Sequence, residues 1–307
     1  MIISASRRTD IPTYYSEWFY NRIKEGFVYV RNPMNSHQVS KIPLTPDVVD
    51  GIVFWTKNPI PMMNRLRELD DHIYYFQFTI TPYGTDIEPN IPSKKDAIIP
   101  AFQELSRTLG KERVIWRYDP ILFSEKYTFE YHVRSFEALA NRLAGYTEKC
   151  TVSFLDFYQS TRKNTSSLKI YDASMEQKKR LMCKFAEIAK SVGIDIDTCA
   201  EKIDLSKFGI QHAHCIDKER LERIGGFRLN LEKDKTQRAE CGCVASIDIG
   251  AYGTCRNGCL YCYANHSQKV VLRNCAQHDP KSPLLFGKIS DGDEVKIRKV
   301  KSCKDCR

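Results

Sequence analysis

Ile73-Tyr-Tyr-Phe-Gln-Phe-Thr-Ile-Thr81 is a near-continuous apolar run. It is followed by an amphipathic segment, 93–109, and by a second apolar run, Arg113-Val-Ile-Trp-Arg-Tyr-Asp119. Runs of this kind predict strands that are buried on both faces, as in a parallel sheet. The amphipathic segment predicts the helix that connects two parallel strands. This strand–helix–strand unit indicates an α/β fold.

The same alternation continues through most of the 307-residue chain. Apolar runs predict further strands at 2–6, 51–57, 151–157, 194–199 and 244–249, and helical periodicity predicts helices at 13–25, 61–69, 129–143 and 174–192. Seven such units predict a partial or full β/α barrel of the TIM type. The predicted barrel core comprises residues 1–199 and 244–264. A Cys-rich insertion, 200–243, precedes the last strand and contains one short helix, 217–224; residues 265–307 form a C-terminal helix and tail.

The composition is typical of a soluble globular protein, with 42% hydrophobic and 28% charged residues. No run reaches the ~18–20 apolar residues that cross a bilayer, and the first residues lack the apolar region of a secretion signal. These features predict a cytoplasmic protein with no membrane partner. Its twelve cysteines would be kept reduced there, which favours metal or cluster ligation over disulfides.

The net charge of +9 is compatible with a phosphate-bearing or nucleic-acid partner. The positive charge is spread along the chain and rises only in Lys296-Ile-Arg-Lys-Val-Lys301. A solvated basic surface explains the same distribution, so the charge alone does not identify a partner.

Three cysteines near the end of the chain form the strongest chemical motif, Gly253-Thr-Cys-Arg-Asn-Gly-Cys-Leu-Tyr-Cys-Tyr263. Cys255, Cys259 and Cys262 are close enough in sequence to wrap one face of a [4Fe–4S] cluster, whose irons take thiolate ligands. Three thiolates leave the fourth iron open, which indicates catalysis. Zinc is the alternative, because nearby cysteines could complete a four-thiolate shell.

Polar residues follow several of the predicted strands. In parallel α/β folds the carboxyl ends of the strands form the active face. Arg7, Arg8 and Asp10 follow the first strand, and arginine recognises phosphate and carboxylate groups well. We therefore expect these three residues to contact substrate.

A second group of four cysteines lies in and around the insertion: Cys199, Cys215, Cys241 and Cys243. Four thiolates can close the shell of a second [4Fe–4S] cluster, which we expect first, or of zinc. His212 and His214 flank Cys215 and are reserve ligands. A further Cys-x2-Cys pair, Cys303 and Cys306, ends the chain and could bind metal or remain free.

The cysteine motif resembles the signature loop of the radical SAM superfamily, and residues 250–264 resemble most its spore photoproduct lyase branch. In that branch the loop follows the first barrel strand, whereas here it lies near the C-terminus. Later strand-end motifs follow in the branch's order: Thr9-Asp10, Thr56-Lys57, Thr79-Ile-Thr81 with Ile87-Glu-Pro89, and Arg117 with Asp119-Pro120. The resemblance therefore implies a circularly permuted barrel. The whole chain also resembles an uncharacterised bacterial family with a C-terminal radical-SAM-like cysteine cluster.

The resemblance implies reductive cleavage of S-adenosylmethionine (SAM) at the cluster, giving a 5′-deoxyadenosyl radical that abstracts hydrogen from an unidentified substrate. It implies that Lys57 meets the methionyl carboxylate, that Thr79 and Thr81 lie near the methionyl group, that Arg117 faces the cofactor and that Tyr261 lies beside the adenine. It also implies a reductant such as flavodoxin or ferredoxin. Nucleic acid is one conceivable substrate.

Two other functions remain open at this point. One is a non-catalytic iron–sulfur protein for electron transfer or redox sensing. The other is a zinc-containing nucleic-acid-binding protein, although no recognisable binding module occurs in the sequence. The open-iron triad and the polar strand ends favour the enzyme.

Overall fold

The computed structural model describes residues 1–265 and 267–305, without the side chain of Ser160. Its main feature is an eight-stranded sheet of parallel strands, which confirms the predicted α/β class. All seven predicted strands are present, although their ends differ by a few residues. This sheet is compatible with a TIM-like or a Rossmann-like arrangement.

The strands of this sheet are β1 (Ile2–Ala5), β4 (Gly51–Thr56), β5 (Tyr74–Thr79), β6 (Val114–Ile121), β7 (Lys149–Phe154), β8 (Asp195–Thr198), β9 (Gln211–His212) and β10 (Ile247–Asp248). Their order is β10-β1-β4-β5-β6-β7-β8-β9. A second sheet, in the order β11-β3-β2, contains β2 (Phe27–Arg31), β3 (Gln38–Pro43) and β11 (Glu294–Ile297). This small sheet and β9 were not predicted. Strand β11 is exposed along its length, so it lacks the apolar pattern of a buried strand.

The helices are α1 (Ile11–Tyr14), α2 (Ser16–Glu25), α3 (Ile60–Met63), α4 (Ile99–Leu109), α5 (Phe129–Leu143), α6 (Gln159–Asn164), α7 (Met175–Ser191), α8 (Lys218–Gly225) and α9 (Gln268–Cys275). The predicted helix 13–25 is divided at Tyr15 into α1 and α2. The predicted helix 61–69 consists of α3 and a 3-10 turn at Leu66–Leu69. In the described part of the chain, no helix is both long and apolar enough to cross a membrane.

The two faces of the main sheet are covered differently, because successive side chains of a strand point to opposite sides. On one side, which we call the helix face, strand residues such as Phe76 and Trp116 share a core with the aromatic side chains of α2, α4, α5 and α7. On the other side, the insertion face, Val53 and Tyr75 pack against residues of the Cys-rich segment 200–243. The insertion therefore covers one face of the sheet.

Asp248 attaches β10, the last strand of this sheet in the sequence, to β1, the first. Its carboxylate accepts hydrogen bonds from the hydroxyls of Ser4 (2.9 Å) and Ser6 (2.6 Å) and from the backbone N–H of Arg7 (2.8 Å) and Gly250 (3.0 Å). A Cβ atom on Gly250 would lie only 2.6 Å from Cβ of Ser6. The two strand ends therefore meet at a glycine.

His132 on α5 is fully buried on the helix face, where Nδ1 meets the Tyr118 hydroxyl at 2.9 Å and Nε2 meets the Leu122 carbonyl at 2.8 Å. Burial lowers the pKa of its imidazole to about 4. In the unfolded chain the His132 imidazole binds a proton below about pH 6.5, whereas in the folded protein it stays neutral, so acid favours unfolding. Relative to His132→Gln, we expect the wild type to lose about 3 kcal/mol of unfolding free energy between about pH 7 and about pH 4.

Denaturant titrations of both proteins across this pH range measure the difference. A wild type that follows the same pH profile as His132→Gln would contradict the buried neutral imidazole.

Candidate functional site

The cysteine loop, residues 253–263, begins five residues after β10 ends and reaches the segment that follows β5. Cys255 and Cys259 are buried, and Cys262 is half-buried. Gly258 has a φ of +70°, and a Cβ atom there would lie 3.0 Å from Nδ2 of Asn90. This position therefore requires glycine for its backbone conformation and has little space for a side chain.

Two hydrogen bonds attach the cysteine loop to the segment after β5. The backbone N–H of Leu260 donates to the carbonyl of Ile87 at 3.0 Å, and the side chain of Asn90 donates to the carbonyl of Arg256 at 2.7 Å. The sulfur-bearing part of the loop is thereby held beside the carboxyl end of β5.

Asp10 attaches the same loop to β1 and β4. Its buried carboxylate accepts hydrogen bonds from the N–H of Thr13 (3.1 Å), the hydroxyl of Thr56 (2.7 Å), the N–H of Lys57 (2.9 Å) and the side chain of Asn257 (3.0 Å). The sequence predicts Asp10 as a substrate contact. These four bonds, all made within the chain, suit a residue that positions the loop and the start of the Lys57 segment.

A buried carboxylate, Glu88, collects four side chains into what we call the Glu88 cluster. Lys57 Nζ and Thr81 Oγ1 each lie 2.8 Å from Oε1, and Lys94 Nζ lies 2.6 Å from Oε2. The hydroxyl of Tyr261 also donates to Oε1. Three residues that the resemblance assigns to SAM, namely Lys57, Thr81 and Tyr261, therefore meet at one carboxylate beside the cysteine loop.

The Glu88 cluster contains two ammonium groups and one carboxylate. Burial alone would raise the pKa of Glu88, but the charges of Lys57 and Lys94 outweigh it and hold the pKa at about 2. Glu88 is therefore ionised at neutral pH, and the cluster has one excess positive charge. Such a site can accept one further anionic group without leaving an unpaired charge.

Three other predicted contacts, Thr79, Arg7 and Arg8, lie at the ends of strands. Thr79 is half-buried at the end of β5 and is in register with Arg117 of β6. Arg7 and Arg8 are half-buried beyond β1, with their guanidinium groups 6.0 Å from the ring of Trp55 and 5.2 Å from the ring of Tyr252, respectively. The structure thus places both arginines at the end of β1 against aromatic rings.

Arg117 belongs to a different environment from the Glu88 cluster. It is buried, and its Nη1 donates to Sγ of Cys215 at 3.0 Å and to the side chain of Gln77 at 3.2 Å. Its Nε donates to Asp119 at 3.1 Å, and its guanidinium lies 5.1 Å from the ring of Trp55. The resemblance assigns Arg117 to the cofactor, whereas the sulfur to which it donates, Sγ of Cys215, belongs to the second group of cysteines.

The second cysteine group, Cys199, Cys215, Cys241 and Cys243, comes together on the insertion face. Sγ of Cys215 lies 3.5 Å from Sγ of Cys199. The backbone N–H of Ile216, the residue after Cys215, donates to Sγ of Cys243 at 3.3 Å. Cys215, Cys241 and Cys243 share one buried core, and Cys199 packs against it. The structure therefore brings together four thiols whose positions span 45 residues of sequence.

The reserve ligands lie at the edge of this group. His214 is exposed, but its ring covers Gly242, where a Cβ atom would be 2.6 Å from Nε2. His212 is exposed on β9. Cys303 packs at the edge of the insertion-face core, and its backbone N–H donates to Asp50 at 2.7 Å. Cys306 lies outside the described residues.

Burial raises the pKa of the thiols of Cys255, Cys259 and Cys262. A metal or cluster that binds them must therefore displace protons. Within residues 1–265 and 267–305, no group of three or more Cys, His, Asp or Glu residues is already arranged to hold a metal ion.

A family model described as "Domain of unknown function (DUF1848)" matches residues 2–264. The chain belongs to the DUF1848 family. No curated protein matched the chain. The DUF1848 match includes the whole main sheet, the second cysteine group and the cysteine loop, and it ends before α9 and β11.

In this DUF1848 protein, the sequence reasoning missed Glu88, Lys94 and Asp248 as site residues. Glu88 stands in the Ile87-Glu-Pro89 motif that carries part of the resemblance, so a signal for it was present. Asp248 has no comparable signal, because the side chains that donate hydrogen bonds to it lie more than 240 positions away. Lys94 contacts Glu88 only six positions away, but neither residue stood out as a charged pair in the sequence.

Proposed function

We propose that this DUF1848 protein is a radical SAM enzyme with an unidentified substrate. The observation that carries the proposal is the meeting of the cysteine loop with Lys57, Thr81 and Tyr261 at Glu88. These residues come from three separate parts of the sequence, and each has a role in SAM binding by resemblance. A parallel sheet places such groups at the carboxyl ends of its strands.

The residues present fit a cluster that has three protein ligands. Cys255, Cys259 and Cys262 would hold it, since all three are drawn from one loop that is fixed by Asp10 and by the segment after β5. Two buried polar atoms near the loop, Oγ1 of Thr9 and Oδ1 of Asn265, have no hydrogen-bond partner within the described structure. Such atoms are suited to contact a bound group.

When held by these cysteines and reduced, the cluster would supply an electron to bound SAM, whose sulfonium C–S bond would break to give methionine and a 5′-deoxyadenosyl radical. The excess positive charge of the Glu88 cluster would neutralise the methionyl carboxylate. Lys57 would contact this carboxylate, with Glu88 and Lys94 fixing the position of the ammonium group. Tyr261, Thr79 and Thr81 would border the same space, and Arg7 and Arg8 would meet an anionic part of the substrate, nucleic acid included.

The strand order supports a circularly permuted barrel as part of this proposal. In the unpermuted order the strand before the cysteine loop comes first and is followed by the strand that here is β1. Strand β10 indeed pairs in parallel with β1, through Ile3 with Ile247 and Ser4 with Asp248. Coverage of one sheet face by helices and of the other by the insertion also suits a curved sheet with an interior.

Anaerobic reconstitution tests the proposal. The full chain, loaded with iron and sulfide and reduced with dithionite, is incubated with SAM, and 5′-deoxyadenosine is measured. We expect 5′-deoxyadenosine to form even without substrate. Reduced flavodoxin or ferredoxin should support the same reaction in place of dithionite. An intact, reducible cluster that yields no 5′-deoxyadenosine would instead favour an electron-transfer or redox-sensing protein. Zinc without iron in the cysteine loop would favour the zinc-containing nucleic-acid-binding alternative.

A further inference from the structure

The second cysteine group brings two of its sulfur atoms into close contact, because the sulfurs of Cys199 and Cys215 are 3.5 Å apart. Sγ of Cys243 accepts a hydrogen bond at 3.3 Å from the backbone N–H of Ile216, the residue after Cys215, and Cys241 lies in the same buried core. The four thiols are therefore gathered in one place, but within the described residues they are not yet arranged as a closed shell.

This spacing distinguishes between the two kinds of thiolate centre. Zinc binds four thiolates tetrahedrally with Zn–S bonds of about 2.3 Å, so neighbouring sulfurs are about 3.8 Å apart. In a [4Fe–4S] cluster each thiolate binds a different iron, so the width of the cluster separates the sulfurs. The 3.5 Å separation of the Cys199 and Cys215 sulfurs is therefore close to the zinc spacing.

The surroundings of the group also suit a closed structural site. Cys215, Cys241 and Cys243 are buried, and Cys199 is half-buried. Four thiolates leave no open position on a tetrahedral ion, as is usual for structural zinc. The ion would join the end of β8 to two separate parts of the insertion, and would hold the insertion against the sheet.

Two donors from outside the group already point at its sulfurs. Nη1 of Arg117 donates to Sγ of Cys215 at 3.0 Å, and the backbone N–H of Ile216 donates to Sγ of Cys243 at 3.3 Å. Four thiolates with one Zn²⁺ have two net negative charges, which a buried guanidinium partly offsets. Second-shell donors of this kind commonly support metal thiolate sites.

We propose that Cys199, Cys215, Cys241 and Cys243 bind a single structural zinc ion, with Arg117 as a positioning residue for the Cys215 thiolate. The second [4Fe–4S] cluster expected from the sequence is thereby replaced by a redox-inert centre. The zinc ion then holds the insertion against the sheet, and the insertion takes no part in electron relay.

Metal analysis of the full chain tests this proposal. Purified in air without reconstitution, the protein should contain about one zinc ion per chain. Cys241→Ser should lose the zinc, whereas Cys183→Ser, a partly exposed thiol on α7, should keep it. Absence of zinc from the wild type, or retention of zinc by Cys241→Ser, would overturn the assignment. An iron content of about eight per chain in the reconstituted wild type, decreasing to about four in Cys241→Ser, would also overturn the assignment.

Cobalt substitution keeps the test decisive if Cys241→Ser does not fold. Wild-type protein stripped of zinc by a chelator and titrated with Co²⁺ should develop the absorption bands of tetrahedral cobalt thiolate at about one equivalent. Octahedral cobalt spectra would overturn the proposal.

Arg117→Met should weaken zinc retention against a chelator by about 10–100-fold, and Arg117→Lys should weaken it less. Equal retention by Arg117→Met and wild type would remove Arg117 from the proposal.

The zinc proposal and the proposed enzyme can fail separately. Cys259→Ser alters only the cysteine loop and should retain the zinc ion. Zinc content is also read without SAM, iron or reductant. A protein that binds zinc but makes no 5′-deoxyadenosine would leave the zinc site intact and contradict only the enzyme.

Discussion

Replacement of Cys259 by serine should reduce the formation of 5′-deoxyadenosine from SAM to the background of cluster-free protein. Cys259 is buried in the middle of the cysteine loop, between the two other thiols. Iron–sulfur clusters in proteins are held chiefly by thiolates, and two remaining cysteines would leave two irons without protein ligands. Iron content after anaerobic reconstitution and 5′-deoxyadenosine yield measure the effect.

Cys275→Ser is a matched control for this substitution. Cys275 lies on α9 with its sulfur 3.3 Å from the carbonyl of Thr254, so it is close to the cysteine loop but is not one of the triad. We expect the control to keep its iron and its 5′-deoxyadenosine yield. Wild-type yield in Cys259→Ser, or equal losses in both variants, would show that the triad is not the cluster site.

Replacement of Glu88 by glutamine should lower the free energy of unfolding by about 3–5 kcal/mol. The substitution keeps the shape of the side chain but removes the negative charge that faces Lys57 and Lys94. The side chains of Glu88, Lys57 and Lys94 are only 1%, 13% and 20% exposed, respectively. Water therefore cannot replace the lost carboxylate. Two ammonium groups would then share a buried site without a counterion, and we also expect weaker SAM binding because Lys57 and Tyr261 lose their common anchor.

Glu125→Gln provides the comparison, because Glu125 pairs with Lys169 at 2.9 Å while both side chains are more than 70% exposed. Exposed pairs of this kind contribute at most about 1 kcal/mol. Denaturant unfolding of both variants measures the difference. A further change, Lys94→Met in the Glu88→Gln background, should restore part of the stability by removing one unpaired ammonium. Equal stability of Glu88→Gln and Glu125→Gln would contradict the role of the Glu88 cluster.

Much of the fold was predictable because its signals are local. The apolar run 73–81 and the other predicted strands are long enough to be read without their neighbours, and all seven occur in the sheet. Strands β2 and β3 show the limit of this approach. They form a hairpin outside the main sheet, and β11 joins it from a point more than 250 residues further along the chain. Nothing within Glu294–Ile297 indicates that partner, because all four side chains are exposed.

The parts of the candidate site that a single residue or its spacing indicates were predictable. The parts that depend on a contact between separate segments were not. Cysteine spacing and the motifs around Lys57, Thr81 and Tyr261 indicated those residues. Arg117 was also singled out, but its position on the insertion face directs its guanidinium to Cys215. Asp10 was singled out as a substrate contact, yet it is buried and bonded to three segments of the chain.

The sequence by itself determined the α/β class, seven of the eight strands of the main sheet and the two groups of cysteines, because periodicity and spacing are properties of short segments. Only the tertiary structure decided that Glu88 joins Lys57 to Tyr261, two residues that lie 31 and 173 positions away from it. It also decided that the sulfurs of Cys199 and Cys215 lie 3.5 Å apart. Both results depend on which segments the sheet brings side by side, and no local pattern encodes that choice.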